Sequence, residues 1–88
     1  MTWRLEFTGK ASKKLLKLDS PIRKLIATFF DELIELEDPL IKGKALTGKL
    51  SGLWRYRVGD FRIICQINGK TIVILVLDVG HRKEIYKN

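Results

Sequence analysis

The sequence predicts an α+β domain with two N-terminal helices packed on one face of a four-stranded antiparallel-type sheet. Three observations support this prediction: residues 2–7 alternate in polarity like a strand, the following region has helical periodicity, and three apolar segments close the chain. The sheet would consist of the N-terminal strand and a three-strand C-terminal meander, because strands and helices segregate along the chain. With 88 residues, we expect one domain spanning residues 1–88.

Both predicted helices have recognisable start signals. Thr8 can cap a first helix that runs to about Leu18 and has its lysines on the solvent-exposed face. For the second helix, the Ser20 hydroxyl precedes Pro21, which suits the first helical position. This helix should end near Glu37, since a residue before proline disfavours helical geometry.

The C-terminal half predicts strands at about residues 53–58, 61–67 and 70–79. Gly59-Asp60 and Asn68-Gly69 separate them, and both dipeptides favour tight two-residue hairpins. Before these strands lies a looser basic connection, residues 42–52, which contains three glycines. The last strand is apolar on both faces and is therefore expected inside the sheet.

The segment 54–62, WRYRVGDFR, is the most informative part of the chain. If Val58 pairs with Phe61 across the turn, Arg57 lies opposite Arg62, and Arg55 shares their face by alternation. Like charges directly across a hairpin are destabilising. The sequence therefore predicts an anion, such as a phosphate, between these guanidinium groups.

The overall charge agrees with a polyanionic partner. The chain carries 17 Lys and Arg against 10 Asp and Glu, a net charge of +7, and the excess is concentrated between residues 42 and 62. Nucleic acid is the leading candidate for such a surface. The plainer alternative is a solvated basic surface without a partner.

Several protein classes can be set aside. No apolar run approaches the roughly 20 residues of a membrane span, and the alternating start is unlike a signal peptide. The single cysteine, Cys65, cannot form an internal disulfide, which fits a reducing cytoplasm. It falls on the predicted core face and is therefore interpreted as a small buried hydrophobe. One His and one Cys are too few ligands for a zinc site.

The C-terminal tail adds three candidate site residues, His81, Arg82 and Tyr86. If the tail folds back over the Leu75 and Leu77 side of the sheet, it brings these three residues to the arginines. The plainer alternatives are a surface histidine, Arg62 and Arg82 paired with Asp60 or Asp78, and a tyrosine ring packed on the sheet.

Three segments together resemble RelE-like members of the RelE/ParE toxin superfamily: Leu46-Thr47-Gly48, the segment 54–65 (WRYRVGDFRIIC) and the closing segment 79–86 (VGHRKEIY). The resemblance covers nearly the whole chain and implies the toxin of a type II toxin–antitoxin pair. RelE-like members cleave messenger RNA in the ribosomal A site, without a metal or other cofactor. ParE-like members instead poison DNA gyrase and lack the RNase residues.

The resemblance implies attack by a ribose 2′-hydroxyl on the adjacent phosphate, which leaves a 2′,3′-cyclic phosphate and a 5′-hydroxyl. The family's basic strand positions match Arg55 and Arg57, its next arginine matches Arg62, and its C-terminal arginine and aromatic residue match Arg82 and Tyr86. Some members have lysines at the first two positions. Arginine hardly exchanges protons, so Arg55 and Arg57 are interpreted as phosphate clamps.

Acid–base work then needs another group. His81 is the natural candidate because imidazole exchanges protons near neutral pH, and Tyr86 is the weaker one. Lysines outside the arginine cluster could contact RNA in a salt-dependent manner, although a solvated helix face explains them equally well. The candidate RNA-binding lysines are Lys42, Lys44, Lys49, Lys13 and Lys17.

Partners and alternatives follow from the resemblance. The toxin would pair with a cognate RelB-like antitoxin and act on the ribosome and its mRNA in the cytoplasm, without contacting a membrane. It would meet operator DNA only indirectly, through the antitoxin. The alternatives are a ParE-like gyrase inhibitor and an inactive nucleic-acid-binding relative; the arginine cluster with Tyr86 argues against the first.

Overall fold

The computed structural model describes residues 2–85. Five strands form one sheet in the order β1-β5-β4-β3-β2. The elements are, in chain order, β1 (Arg4–Phe7), α1 (Gly9–Leu16), α2 (Ser20–Leu33), β2 (Lys44–Ala45), β3 (Trp54–Val58), β4 (Phe61–Asn68), β5 (Val73–His81) and α3 (Arg82–Ile85), with short 3-10 helices at Pro39–Lys42 and Gly48–Leu50. The predicted α+β class is confirmed, and β2 is one strand more than expected.

The sheet is mixed because the chain crosses over from β1 to β5, which lie side by side and run in parallel. Strand β1 pairs in parallel with β5, whereas the pairs β5–β4, β4–β3 and β3–β2 are antiparallel. Parallel neighbours need a crossover connection, and here the helices lie within it. The last strand is internal, as its apolar sequence predicted, and lies between β1 and β4.

Both helices bury their apolar sides against one face of the sheet, as predicted. Their contributions to the core, such as Ala11 and Phe30, meet Tyr56, Ile63 and Cys65 from β3 and β4. The ring of Phe29 lies 5.7 Å from that of Tyr56, so α2 covers β3. The opposite face, which we call the open face, carries no helix among the described residues.

The helix boundaries differ from prediction at three places. The Thr8 cap is confirmed, because its Oγ1 accepts a hydrogen bond from the Ala11 N–H at 3.1 Å, but α1 ends at Leu16. Asp19, and not Ser20, is the N-cap of α2, with Pro21 in the first turn. Helix α2 ends at Leu33, about one turn before the predicted end.

The connection between β4 and β5 is longer than the predicted two-residue turn. Asn68 pairs with Val73, so four residues lie between them. The Asn68 side chain accepts from the N–H groups of Lys70 at 3.0 Å and Thr71 at 3.2 Å, which stabilises the wider loop. Among the described residues, no helix is long and apolar enough to cross a membrane.

Candidate nucleic-acid interface

The hairpin of β3 and β4 has the predicted register. Val58 pairs with Phe61 and Arg57 pairs with Arg62. Gly59 has a φ of +59°, which the first position of a type II′ turn requires and which glycine adopts without strain. The two arginines are therefore neighbours on the open face, because directly paired residues of an antiparallel ladder project to the same side.

Arg62 is the most buried cation of the site, with only 6% of its surface exposed. Its Nη1 donates to the carbonyl oxygens of Gly59 at 3.3 Å and Phe61 at 3.2 Å. Its Nε is buried and has no hydrogen-bond partner among residues 2–85. Buried donors without partners are rare, so Arg62 keeps a hydrogen-bonding capacity that residues 2–85 leave unused.

Uncharged residues flank the arginines on β4 and β5. Arg62 pairs with Gly80 of β5, and Arg55 pairs with Ile64 of β4. Gly80 leaves the surface next to Arg62 without a side chain. Among the described residues, the ion pairs join Arg4 to Glu6 and Lys10 and Lys14 to Asp78. The expected alternative pairing of Arg62 with Asp60 or Asp78 is thus not among them.

Arg82 begins α3 directly beside the hairpin turn. Its backbone N–H donates to the Asp60 carbonyl at 2.8 Å, which continues the β4–β5 ladder past its last pair. The backbones of Arg57, Arg62 and Arg82 therefore converge on one turn. Tyr86, the remaining predicted residue of the cluster, lies outside the described residues.

His81 does not join the arginines, which corrects the expectation for the tail. It pairs with Phe61, and the two rings contact edge to face at 5.7 Å. Phe61 belongs to the helix-covered face, so the imidazole lies on the opposite side of the sheet from Arg57 and Arg62. This placement removes His81 from the phosphate that the arginines would bind.

A β-bulge causes the change of face. Cys65 pairs with Val76, whereas Ile64 pairs with Asp78, so Leu77 is an extra residue in β5. One extra residue reverses the alternation of every side chain that follows. Without the bulge, His81 would share a face with Leu77.

His81 instead lines a cavity of about 350 Å³ beside the end of α1. The cavity also contacts Lys14, Lys17 and Glu84. The Nδ1 of His81 accepts a hydrogen bond from the Lys83 N–H at 3.2 Å. This interaction leaves Nε2 as the ring nitrogen that carries the proton in neutral imidazole.

The predicted RNA-binding lysines lie on different surfaces. Lys44 pairs with Arg55 and so lies on the open face with the arginines. Lys42 borders a groove along α2 with Phe29 and Glu32, away from that face. Lys49 is exposed in the second 3-10 helix, and Lys13 and Lys17 are exposed at the end of α1.

Tyr56 and Cys65 support the site from the helix-covered face of the sheet, and the pKa values of both are raised. The Tyr56 hydroxyl donates to the Pro39 carbonyl at 2.9 Å. Burial raises the pKa of Tyr56, with smaller contributions from Cys65 and Asp38. Burial likewise raises the pKa of Cys65 to about 12, so the thiol is a core group, as predicted. No sequence pattern predicts the contact between the Tyr56 hydroxyl and the Pro39 carbonyl.

Comparisons with known proteins identify the family. The family model described as ParE toxin of type II toxin-antitoxin system, parDE, matches residues 5–86. The curated protein Toxin RelG of Mycobacterium tuberculosis (strain ATCC 25618 / H37Rv) is 32% identical over 88 residues, which are 99% of each chain.

Solved structures agree with the sequence match. A chain of the toxin–antitoxin complex RelBE2 from Mycobacterium tuberculosis is 29% identical with a TM-score of 0.84, covering 93% of this chain and 100% of that one. A chain of the archaeal RelE–RelB complex from Pyrococcus horikoshii OT3 is also 29% identical, with a TM-score of 0.74 and coverage of 96% and 99%. The chain therefore belongs to the RelE/ParE superfamily as a toxin of a type II toxin–antitoxin system.

Proposed function

We propose that this toxin is a ribosome-dependent endoribonuclease that cleaves mRNA in the A site and so inhibits translation in the cytoplasm. The observation that carries the proposal is the directly opposed pair Arg57 and Arg62. The second of these is buried with one N–H group unpartnered among the described residues. Two like charges held side by side on one face of a hairpin favour an anion between them, and in RNA that anion is a backbone phosphate.

The chemistry follows the resemblance noted in the sequence. The ribose 2′-oxygen forms a bond to phosphorus while the bond from phosphorus to the 5′-oxygen breaks, giving a 2′,3′-cyclic phosphate and a 5′-hydroxyl. Arg57 and Arg62 stabilise the additional negative charge on the phosphoryl oxygens, with Arg82 approaching from the turn. Such preorganised donors are worth about 100- to 1,000-fold in rate each.

Proton transfer is assigned to Tyr86 by the family resemblance alone. Arginines are poor proton donors and acceptors, so Arg55, Arg57 and Arg62 bind charge and do not exchange it. His81 lies across the sheet and is not assigned a proton transfer.

The ribosome would supply the positioning that a small open face lacks. Holding a reactive 2′-hydroxyl in line with its phosphate contributes much of the rate in such reactions. Lys13 and Lys17 project from α1 on the helix side, where they can contact ribosomal RNA while the open face meets the message. Their contribution is expected to depend on salt and not on sequence.

A RelB-like antitoxin is the expected partner of this chain. The relatives from Mycobacterium tuberculosis and Pyrococcus horikoshii were solved as complexes of this kind. We propose that an acidic antitoxin segment covers the open face, because charge complementarity favours that docking. Contact with operator DNA would be indirect, through the antitoxin.

The proposal is tested by primer extension on ribosomes stalled with an empty A site. The wild-type toxin should produce new reverse-transcription stops at the A-site codon, which mark the 5′ ends of the downstream fragments, and Arg57→Ala should reduce them at least about 100-fold. Lys24→Ala, which removes an exposed charge from α2, is the matched control. A message with a single 2′-deoxy nucleotide at the cleaved position should stay intact; its cleavage would contradict the mechanism.

A ParE-like inhibitor of DNA gyrase is the second candidate, since the matching family model carries the ParE description. This activity needs no bond breaking by the toxin. Purified gyrase with supercoiled DNA separates the two functions. Toxin-dependent double-strand breaks together with intact ribosome-bound messages would favour the inhibitor over the nuclease.

A further inference from the structure

Strand β2 brings a second pair of cations to the open face. It consists of only two residues, and its register places Lys44 directly opposite Arg55. Arg55 and Arg57 are two residues apart on β3 and therefore project to the same side. The open face thus carries two cross-strand cation pairs, Lys44 with Arg55 and Arg57 with Arg62.

The spacing of the two pairs is set by the strand. Two residues of an antiparallel strand span about 6.8 Å, and paired strands lie about 4.8 Å apart. The two cation pairs are therefore displaced from each other along β3 by about the length of one extended nucleotide. The next residue across the sheet is uncharged in both rows, since Arg55 pairs with Ile64 of β4 and Arg62 pairs with Gly80 of β5.

We propose that Lys44 and Arg55 bind the phosphate next to the one that Arg57 and Arg62 hold, so that the RNA backbone runs along β3. This inference rests on the proposed nuclease function. The ligand is an internucleotide phosphate of single-stranded RNA, and the site fixes which of two successive phosphates lies beside the buried Arg62.

Arg62 and Lys44 should have different tasks because they differ in burial. Arg62 is buried and rigid, as a group that stabilises a transition state should be. Lys44 is exposed on an edge strand, where a flexible ammonium contributes to binding but little to the chemical step. Loss of Lys44 should therefore raise the toxin concentration needed for half-maximal cleavage by a larger factor than it lowers the saturated rate.

The experiment combines a protein variant with neutralised phosphates. Ribosomes are programmed with three synthetic messages: one unmodified, one with a methylphosphonate at the linkage 5′ of the cleaved position, and one with it at the 3′ linkage. Wild type, Lys44→Ala and the control Lys24→Ala are titrated on each in single-turnover reactions.

We expect Lys44→Ala to weaken binding about fivefold on the unmodified message. On one of the two methylphosphonate messages, the binding of the wild type should weaken by a similar factor. On that message Lys44→Ala should cause no further loss of binding. An equal effect of Lys44→Ala on all three messages would overturn the inference. Failure of the wild type to cut the unmodified message would instead overturn the proposed function.

Discussion

The ring of Tyr56 lies against Gly43 so closely that a β-carbon at position 43 would stand 2.9 Å from the ring's Cε1 atom. The same β-carbon would be 3.3 Å from the carbonyl oxygen of Arg55. Only glycine permits this approach, which seats the chain just before Lys44 on strand β3. The contact therefore determines the position of β2 and of the cation pair Lys44 with Arg55.

Gly43→Ala should destabilise the fold and weaken RNA binding. The added methyl must displace either the buried ring or the β3 backbone, at a cost of about 1–3 kcal/mol. Chemical denaturation measures the free energy of unfolding. Gly9→Ala is the matched control, because a β-carbon there has no neighbour within 4 Å. Equal stability of the two variants would show that β2 does not depend on this contact.

Tyr56→Phe tests the hydroxyl separately from the ring. The variant keeps the packing against Phe29 but leaves the Pro39 carbonyl without its 2.9 Å donor. We expect a loss of about 1–2 kcal/mol in the free energy of unfolding. An unchanged denaturation midpoint would mean that the hydrogen bond contributes nothing net.

Stability should fall at alkaline pH through Cys65. Burial raises the pKa of its thiol in the folded state from an ordinary 9.0 to about 12. Above pH 9 the unfolded chain releases this proton while the folded chain retains it. The contribution of the protonated thiol to the free energy of unfolding is fully present below pH 9. It is lost between pH 9 and pH 12, by about 1.4 kcal/mol per pH unit.

Cys65→Ala removes that dependence and serves as the comparison. Denaturation curves from pH 8 to 10.5 should converge as pH rises, because only the wild type carries the buried thiol. Tyr56 acts with the same sign in both proteins, since burial raises its pKa too. Parallel stability profiles of the two proteins would contradict the assignment.

His81→Gln should leave cleavage within about threefold of the wild type, since the imidazole lies across the sheet from the arginines and such a factor is under 1 kcal/mol. Tyr86→Phe tests the proton transfer that we proposed for Tyr86 and should reduce the saturated rate at least about 100-fold. Single-turnover cleavage of ribosome-bound mRNA gives both rates. A large loss in His81→Gln alone would return the proton transfer to His81.

The sequence predicted those features that depend on local chemistry. The Gly59-Asp60 turn and simple alternation were enough to place Arg57 opposite Arg62, because the register of a two-residue hairpin follows from its turn. The Thr8 cap and the buried Cys65 followed in the same way from neighbouring residues.

The features that sequence reasoning missed depend on distant contacts. Strand β2 is too short for any periodicity and exists because residues 44 and 45 pair with β3. The bulge at Leu77 carries no glycine or proline signal, yet it moves His81 to the other face. The pairing of Arg57 with Arg62 was therefore predictable, whereas the pairing of Lys44 with Arg55 and the face of His81 were not.

The single-turnover rate of Arg62→Gln on ribosome-bound mRNA tests the central claim most directly. Glutamine removes the buried charge and keeps a polar side chain, whose amide nitrogen stands at the position of the Arg62 Nε. Circular dichroism and antitoxin binding would verify the fold. The account predicts that the saturated rate falls at least about 100-fold. A folded variant that cleaves within about threefold of the wild type would contradict it.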